Sequence, residues 1–393
     1  MPRTFLFLNL GHAQVHFALM VYPTIALTLE SELGLPYADL IALAAWSYGA
    51  IAIATLPVGW LGDRLSRRGL MIFFFVGLGL ATLATGLTDP TSSIAVGLFA
   101  IGLFAAIYHP VGIAMVAAAA PGRLGRAMGI NGVWGNLGLA AAPAATAALA
   151  SAFGWRLGLV LPGIVVLATG FAFALLTRPG ATRNRAAAPP ASPEPVGRAA
   201  AVRIGVLLVV TTVVGGIVFT VTTVSLPKLV AERIAAGDAT DAGSVTTLVL
   251  AVAGFAQIVV GTMLDRLPLK RIYVGLLVAE AVAFAAVAAL GGLPSIAAAA
   301  VAMLLVFGLI PVGDTLVARV VPNAWRARVY AISYQLSLGI SVAAVPLMAR
   351  IYERWGFETL YWLLAAAIGI EVAAALALPA VVNRRTMAAQ ASA

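Results

Sequence analysis

The sequence predicts an all-α membrane protein of twelve transmembrane helices in two six-helix pseudo-symmetric bundles, and three observations predict it. Of 393 residues, 62% are hydrophobic and 10% charged, with a mean hydropathy of +1.02, which leaves too little polar surface for a water-soluble fold. Apolar runs of about 20 residues recur from end to end, and a helix needs that length to cross the hydrocarbon layer. Landmarks of the first half return in the second at a nearly constant spacing, the mark of an internal repeat.

In chain order, span 5–29 closes at the acidic "ESE" of 30–32, and spans 39–61 and 70–88 flank "GDRLSRRG". The break "TDP" precedes span 92–119, "PGRLGR" precedes 127–152, and "FGW" leads into 156–177. In the second half, "AERIAAGDATDA" separates 203–230 from 243–263, and "LDRLPLKR" leads into 272–291. Span 294–318 follows Gly292 and Leu293, "VPNAWRA" precedes 328–350, and "IYERWGF" precedes 358–381. The runs are continuously apolar and far longer than the roughly 10 residues of a barrel strand, so a β-barrel is excluded. The expected domains are a bundle over 1–177, a linker over 178–202 rich in Pro, Ala and Arg, and a second bundle with a short cytoplasmic tail over 203–393. The linker has no hydrophobic periodicity and is expected to be partly disordered in the cytoplasm.

The net charge of +9 is a matter of topology. With the N-terminus inside, all 24 Lys and Arg fall in cytoplasmic segments except Arg156, Lys228, Arg233, Arg350 and Arg354. That asymmetry follows the positive-inside rule and places both termini in the cytoplasm. It argues for a lipid bilayer and against a nucleic-acid partner. The absence of cysteine rules out disulfides and thiolate metal sites. The first run lacks the short core and small-residue exit of a cleavable signal and is expected to be a retained span.

The repeat is visible in particular residues. "GWLGDRLSRR" (59–68) and "GTMLDRLPLKR" (261–271) share Gly, Asp-Arg and a basic pair, with Asp63 and Asp265 202 residues apart. Pro110 and Pro311, and Pro121 and Pro322, are each 201 apart, while Gly154 and Gly356 are again 202 apart. Parallel halves of this kind suit a central cavity that opens to either side as they rock.

With these motifs the chain resembles a Major Facilitator Superfamily transporter over nearly its whole length. Gly59, Asp63, Arg64, Arg67 and Arg68 match that family's loop between its second and third helices, with Ser66 where glycine is usual. The resemblance implies a cytoplasmic gating latch there, echoed by Gly261, Asp265, Arg266, Lys270 and Arg271 with one extra residue. "YHPVG" (108–112) and "GVWGNLGLAAAP" (132–143) are similar to the fosmidomycin-resistance-type branch of exporters. The arginine that other drug antiporters carry in the fourth span is absent from 92–119.

Ionisable side chains inside a bilayer are costly and tend to mark function. Six lie within the expected spans: His12, His16, His109, Glu280, Asp314 and Glu371. His16 and His109 lie at matching depth in the first and fourth spans, which the family resemblance places along the substrate chamber. Imidazole changes charge near neutral pH and can carry a proton. Asp314 is preferred as the coupling carboxylate of the second half, because the family's ninth and twelfth helices, bearing Glu280 and Glu371, are peripheral. Asn131, Trp134, Asn136, Tyr334 and Gln335 are candidate substrate contacts, although Gly132, Gly135 and Gly138 equally suit tight helix packing. Pro23 and Pro227 are expected to kink the first and seventh spans.

The stripe His12, His16, Met20 admits two readings. Imidazole with thioether is a donor set for copper-like ions, and His109 would extend it. Alternatively His12 stands near the cytoplasmic mouth, Met20 fills space, and His16 alone reaches the chamber.

No catalytic constellation and no nucleotide-binding G-x-x-x-x-G-K is present, so neither an enzyme nor a primary pump is expected, and no cofactor. The reading is a monomeric secondary transporter of the bacterial inner membrane, moving a small organic or amphipathic compound by proton-coupled export. Its rivals are a transition-metal transporter and a transport-inactive receptor or assembly protein.

Overall fold

Pro, Gly and charge at the breaks end helices, and the apolar runs between them have nothing to do in a bilayer but satisfy their own backbone groups. In the computed structural model the regular elements are accordingly all helices among the residues it describes, which are 3–89, 93–119, 124–177, 198–234, 239–321 and 323–377. Among the described residues, eleven helices are long and apolar enough to span a membrane. In chain order they are built from α1 (Arg3–Leu33), α2 (Tyr37–Ala42) with α3 (Ala45–Arg64), α4 (Arg67–Leu87), and α5 (Ile94–Ala105) running through a π turn into α6 (Ile113–Ala119). Then follow α7 (Leu124–Phe153), α8 (Leu157–Leu176), α9 (Arg198–Arg233), α10 (Ala239–Arg266), α11 (Leu269–Ala289), α12 (Gly292–Val320) and α13 (Asn323–Leu376).

The sequence separates two spans where α13 runs on. The reason is Gly356, whose φ of 71° and ψ of −177° interrupt the 54-residue element. Gly154, its repeat partner, has φ 86° and stands between α7 and α8. The same left-handed glycine thus closes the equivalent helix in each half. Pro23 and Pro227 lie inside α1 and α9 as expected, whereas Pro121, Pro322 and residues 178–197 of the linker lie outside the described residues.

The chain divides into two compact units. One comprises Met1–Ala186, Val224–Ala251 and Ser341–Ala349, the other Ala187–Thr223, Val252–Ile340 and Arg350–Ala393. In the first, α1 packs on α7 and α8, and α4 on α5 and α8. Helices α4 and α8 meet at Gly79 and Gly163, where an added β-carbon on either would lie within 3 Å of the other's carbonyl oxygen. Such close approach is how helices gain van der Waals contact when lipid removes the hydrophobic drive between them. The first unit also holds Lys228, whose Nζ donates to Glu30 Oε2 at 2.5 Å and lies 5.1 Å from the Tyr37 ring centre.

The basic residues of the repeated motif have a specific job. Arg68, at the start of α4, donates through Nη2 to the carbonyl oxygens of Ala174 (2.5 Å) and Thr177 (3.1 Å) at the end of α8. Lys270, at the start of α11, donates to the Leu376 carbonyl oxygen at 2.6 Å at the end of α13. Arg68 and Lys270 are 202 residues apart, as are Ala174 and Leu376. A cation placed on the last carbonyls of a helix satisfies orphan acceptors and opposes the negative end of its dipole. Replacing Arg68 with Leu should therefore lower stability by about 1 kcal/mol, the value of a charge-assisted bond discounted for solvent access, as read by thermal unfolding in detergent. Gly356→Ala forces a side chain into a backbone region that only glycine occupies readily, and should cost about 1–3 kcal/mol in the same measurement, with an unchanged melting temperature refuting the strain.

Candidate functional site

The site starts from a proline. Pro110 has no N–H to continue the helical ladder, and the chain takes a π turn over Tyr108–Gly112 between α5 and α6. π turns insert a residue and re-aim side chains. This one carries Tyr108 and His109 against α1.

Tyr108 is fully buried and donates through its hydroxyl to the Leu8 carbonyl oxygen at 2.7 Å. Its ring stacks on His12 with centroids 4.9 Å apart and planes 16° apart. Asn131, on α7 and 1% exposed, donates through Nδ2 to Asn9 Oδ1 and to the Tyr108 hydroxyl, both at 2.9 Å. Its carbonyl oxygen accepts from His12 Nδ1 at 2.7 Å. Because a carbonyl can only accept, Nδ1 of His12 carries a proton. That leaves Nε2 of His12 facing Nε2 of His16, 3.2 Å away, with one hydrogen between them.

His109 completes the cluster. Its ring centre lies 5.4 Å from that of His12 and 5.5 Å from that of His16, with planes at 85° and 80°. One ligand nitrogen from each of the three rings lies within 4.8 Å of the others. His12 is 7% exposed, while His16 and His109 are half-buried. Each of the three rings touches the other two, so His12 lies within the cluster rather than apart from it. A β-carbon at Gly135 would lie 2.7 Å from Cε1 of His12, so the absence of a side chain on α7 makes room for the imidazole.

The pair can hold a proton without losing a bond. With His12 neutral, Nε2–H of His16 donates to it; with His12 charged, its own Nε2–H donates to His16, whose proton moves to Nδ1.

The other expected site residues are distributed more widely. Met20 is buried one turn beyond His16. Trp134 and Asn136 are half-buried on α7. The side chain of Asn131 is committed to Asn9 and Tyr108, which makes it a wall that positions His12. Asp314, on α12, belongs to the second unit and is exposed. In that unit the acids set aside as peripheral are the buried ones: Glu280 is 2% and Glu371 4% exposed. Glu371 Oε1 accepts from the Tyr273 hydroxyl at 2.7 Å, and Tyr273 shares a hydrogen bond of 2.6 Å with Thr211 of α9. Gln335 is half-buried on α13, and the side chains of Tyr334, Asp63 and Asp265 lie outside the described part. Of the loop motif, Arg64 lies over the Trp60 ring at 3.8 Å, Arg67 donates to the Gly62 carbonyl oxygen, and Arg266 is exposed. Gly59 is not in tight contact, because its added β-carbon would be 3.9 Å from Pro110, whereas Gly62 would meet Val111 at 3.2 Å.

Asn9 is not singled out by sequence, and Tyr108 enters there only as part of the YHPVG motif. Asn9 precedes His12 by three residues on an apolar span, so helical spacing would have found it.

Residues 9–235 match the Major Facilitator Superfamily. The chain belongs to that superfamily. No curated protein matches it. Among solved structures it is similar to a bacterial homologue of the human lysosomal transporter Spinster in an inward-facing, unoccupied conformation, at 16% identity over 98% of this chain and 96% of that one, with a TM-score of 0.72. The peptide transporter POT in complex with sulfate is 16% identical over 98% and 96% of the two chains, with a TM-score of 0.76. A D-xylose–proton symporter is 14% identical over 95% and 96%, with a TM-score of 0.73. At these identities the likeness is one of fold. The superfamily protein is thus a multi-pass helical membrane protein with a transporter's architecture, not an enzyme's.

Gly135→Ala should push the His12 ring off the Asn131 carbonyl and cost about 1–3 kcal/mol, the range for overpacking. Gly132→Ala, where nothing lies within 4 Å, should leave the melting temperature unchanged; equal effects at both positions would refute the account.

Proposed function

We propose that this superfamily member is a twelve-span secondary transporter of the bacterial inner membrane, monomeric and with both termini in the cytoplasm, which exports a small organic or amphipathic compound in exchange for protons. The observation that carries the reading is the convergence of His12, His16 and His109, where two Nε2 atoms 3.2 Å apart share one hydrogen. A neutral cluster that can gain a proton and keep its hydrogen bonds is what a coupling site requires in a medium that penalises unpaired charge. Asp314 serves as the acid of the second half, and Trp134, Asn136, Tyr334 and Gln335 contact the compound. The loop residues Gly59, Asp63, Arg64, Arg67, Arg68, Asp265 and Arg266 gate the cytoplasmic side. Export is the direction that the likeness of "YHPVG" and "GVWGNLGLAAAP" to the fosmidomycin-resistance-type branch implies. A structural neighbour named as a proton symporter makes proton coupling compatible with this fold.

The test uses liposomes holding the purified protein and a trapped pH dye, exposed to a panel of small organic and amphipathic compounds. Addition of a transported compound should move protons in the opposite direction, and His16→Gln and His109→Gln should abolish that proton movement. Compound flux with no proton movement in the wild type, or coupling that survives both substitutions, would overturn the proposal.

A further inference from the structure

Two nitrogen ligands on one tetrahedral metal ion, each at about 2.0 Å, stand roughly 3.3 Å apart. The Nε2 atoms of His12 and His16 are 3.2 Å apart. That match draws attention to the rest of the cluster.

The third imidazole lies close enough to join them. The three ligand nitrogens all lie within 4.8 Å of one another, so rotation of His109 about its side-chain bonds has at most about 1.5 Å to close. Its ring stands nearly perpendicular to the other two, so it does not stack on either.

The surroundings fit a ligand set as well. A metal-binding histidine usually donates its other ring N–H to a carbonyl or carboxylate, which fixes the tautomer and aims the lone pair. His12 does this through Nδ1 to the Asn131 carbonyl oxygen at 2.7 Å. The wall behind it, made by Asn9, Asn131 and Tyr108, is closed by its own hydrogen bonds. His16 and His109 are only partly buried, and three protein ligands leave a fourth, open position on the ion, the pattern of exchangeable rather than structural sites.

We infer that His12, His16 and His109 form a three-nitrogen site for a first-row transition-metal dication of the zinc, cobalt or copper class. An all-imidazole set suits these ions and not magnesium or calcium, which take oxygen ligands. The lone pairs that hold the ion are the same ones that take protons, so acid releases it. An anion in the open position offsets part of the ion's charge. The site stands on the geometry of the triad, independent of whether protons drive transport.

Cobalt(II) is the probe, because its visible absorption distinguishes tetrahedral from octahedral coordination. The purified protein in chelator-treated buffer should take up one equivalent with a tetrahedral spectrum, displaced by zinc and lost on acidification. Zinc should raise the melting temperature in proportion to the logarithm of its concentration. His16→Gln and His109→Gln should abolish both effects while keeping the metal-free melting temperature, and Met20→Leu should leave both intact. An octahedral spectrum like that of the buffer, or a tetrahedral one that survives both histidine substitutions, would overturn the site. The wild-type acid titration needs no variant, so misfolding of a substituted protein cannot mask the answer. Proton-coupled flux in chelator-treated liposomes by a protein that binds no cobalt removes the metal site alone; cobalt binding without proton movement removes the coupling alone.

Discussion

The bond from His12 to the backbone of Asn131 is the contact on which the site depends. Inside a bilayer no water is at hand to satisfy a stray donor, so an imidazole on α1 must find its partners in protein. The Asn131 carbonyl supplies one. Its geometry fixes which nitrogen of His12 is free, and that nitrogen meets His16. Everything else in the neighbourhood serves this placement: Gly135 clears the space, Tyr108 stacks on the ring, and Asn9 holds Asn131.

The two halves of the chain share their scaffold more than their chemistry. Each closes the last described helix of its half with a cation from the repeated loop motif, Arg68 in one and Lys270 in the other. In each, a left-handed glycine precedes that last helical stretch, Gly154 between α7 and α8 and Gly356 within α13. The interiors differ. The first half clusters imidazoles, one of them buried, which can be neutral donors and acceptors at once, while the second buries Glu280 and Glu371, the latter accepting from Tyr273. The loop cations of the motif also illustrate how one residue can serve as anchor: Arg68 spends its guanidinium on the end of α8.

Much of this was legible from sequence because hydropathy and punctuation govern helix placement in lipid. The expected spans and breaks match the helices closely, apart from 328–350 and 358–381, which run together as α13 because a single glycine bends the chain without ending the helical pattern on either side. The pairing of His16 with His109 was legible from their matching depth, since rise per residue is fixed, together with the family resemblance that sets the first and fourth spans along one chamber. The position of His12 stayed open between two readings, because a spacing of four puts it on the face of His16 without fixing its distance from His109. The choice between Asp314 and Glu371 was not legible, since burial of a carboxylate depends on neighbours far away in sequence, here Tyr273 and through it Thr211.

The π turn at Tyr108–Gly112 has a consequence for how this span tolerates change in length. An α-helix advances about 100° per residue, and a π turn accommodates one residue beyond the regular count. Excising a single residue there would let the span revert to an uninterrupted α-helix, and everything on one side of the cut would swing by more than a quarter of a circle against everything on the other. Tyr108 and His109 could not both keep facing α1 after such a swing. The surplus residue is therefore what lets one continuous span show one face to its helical neighbours above the turn and another below it.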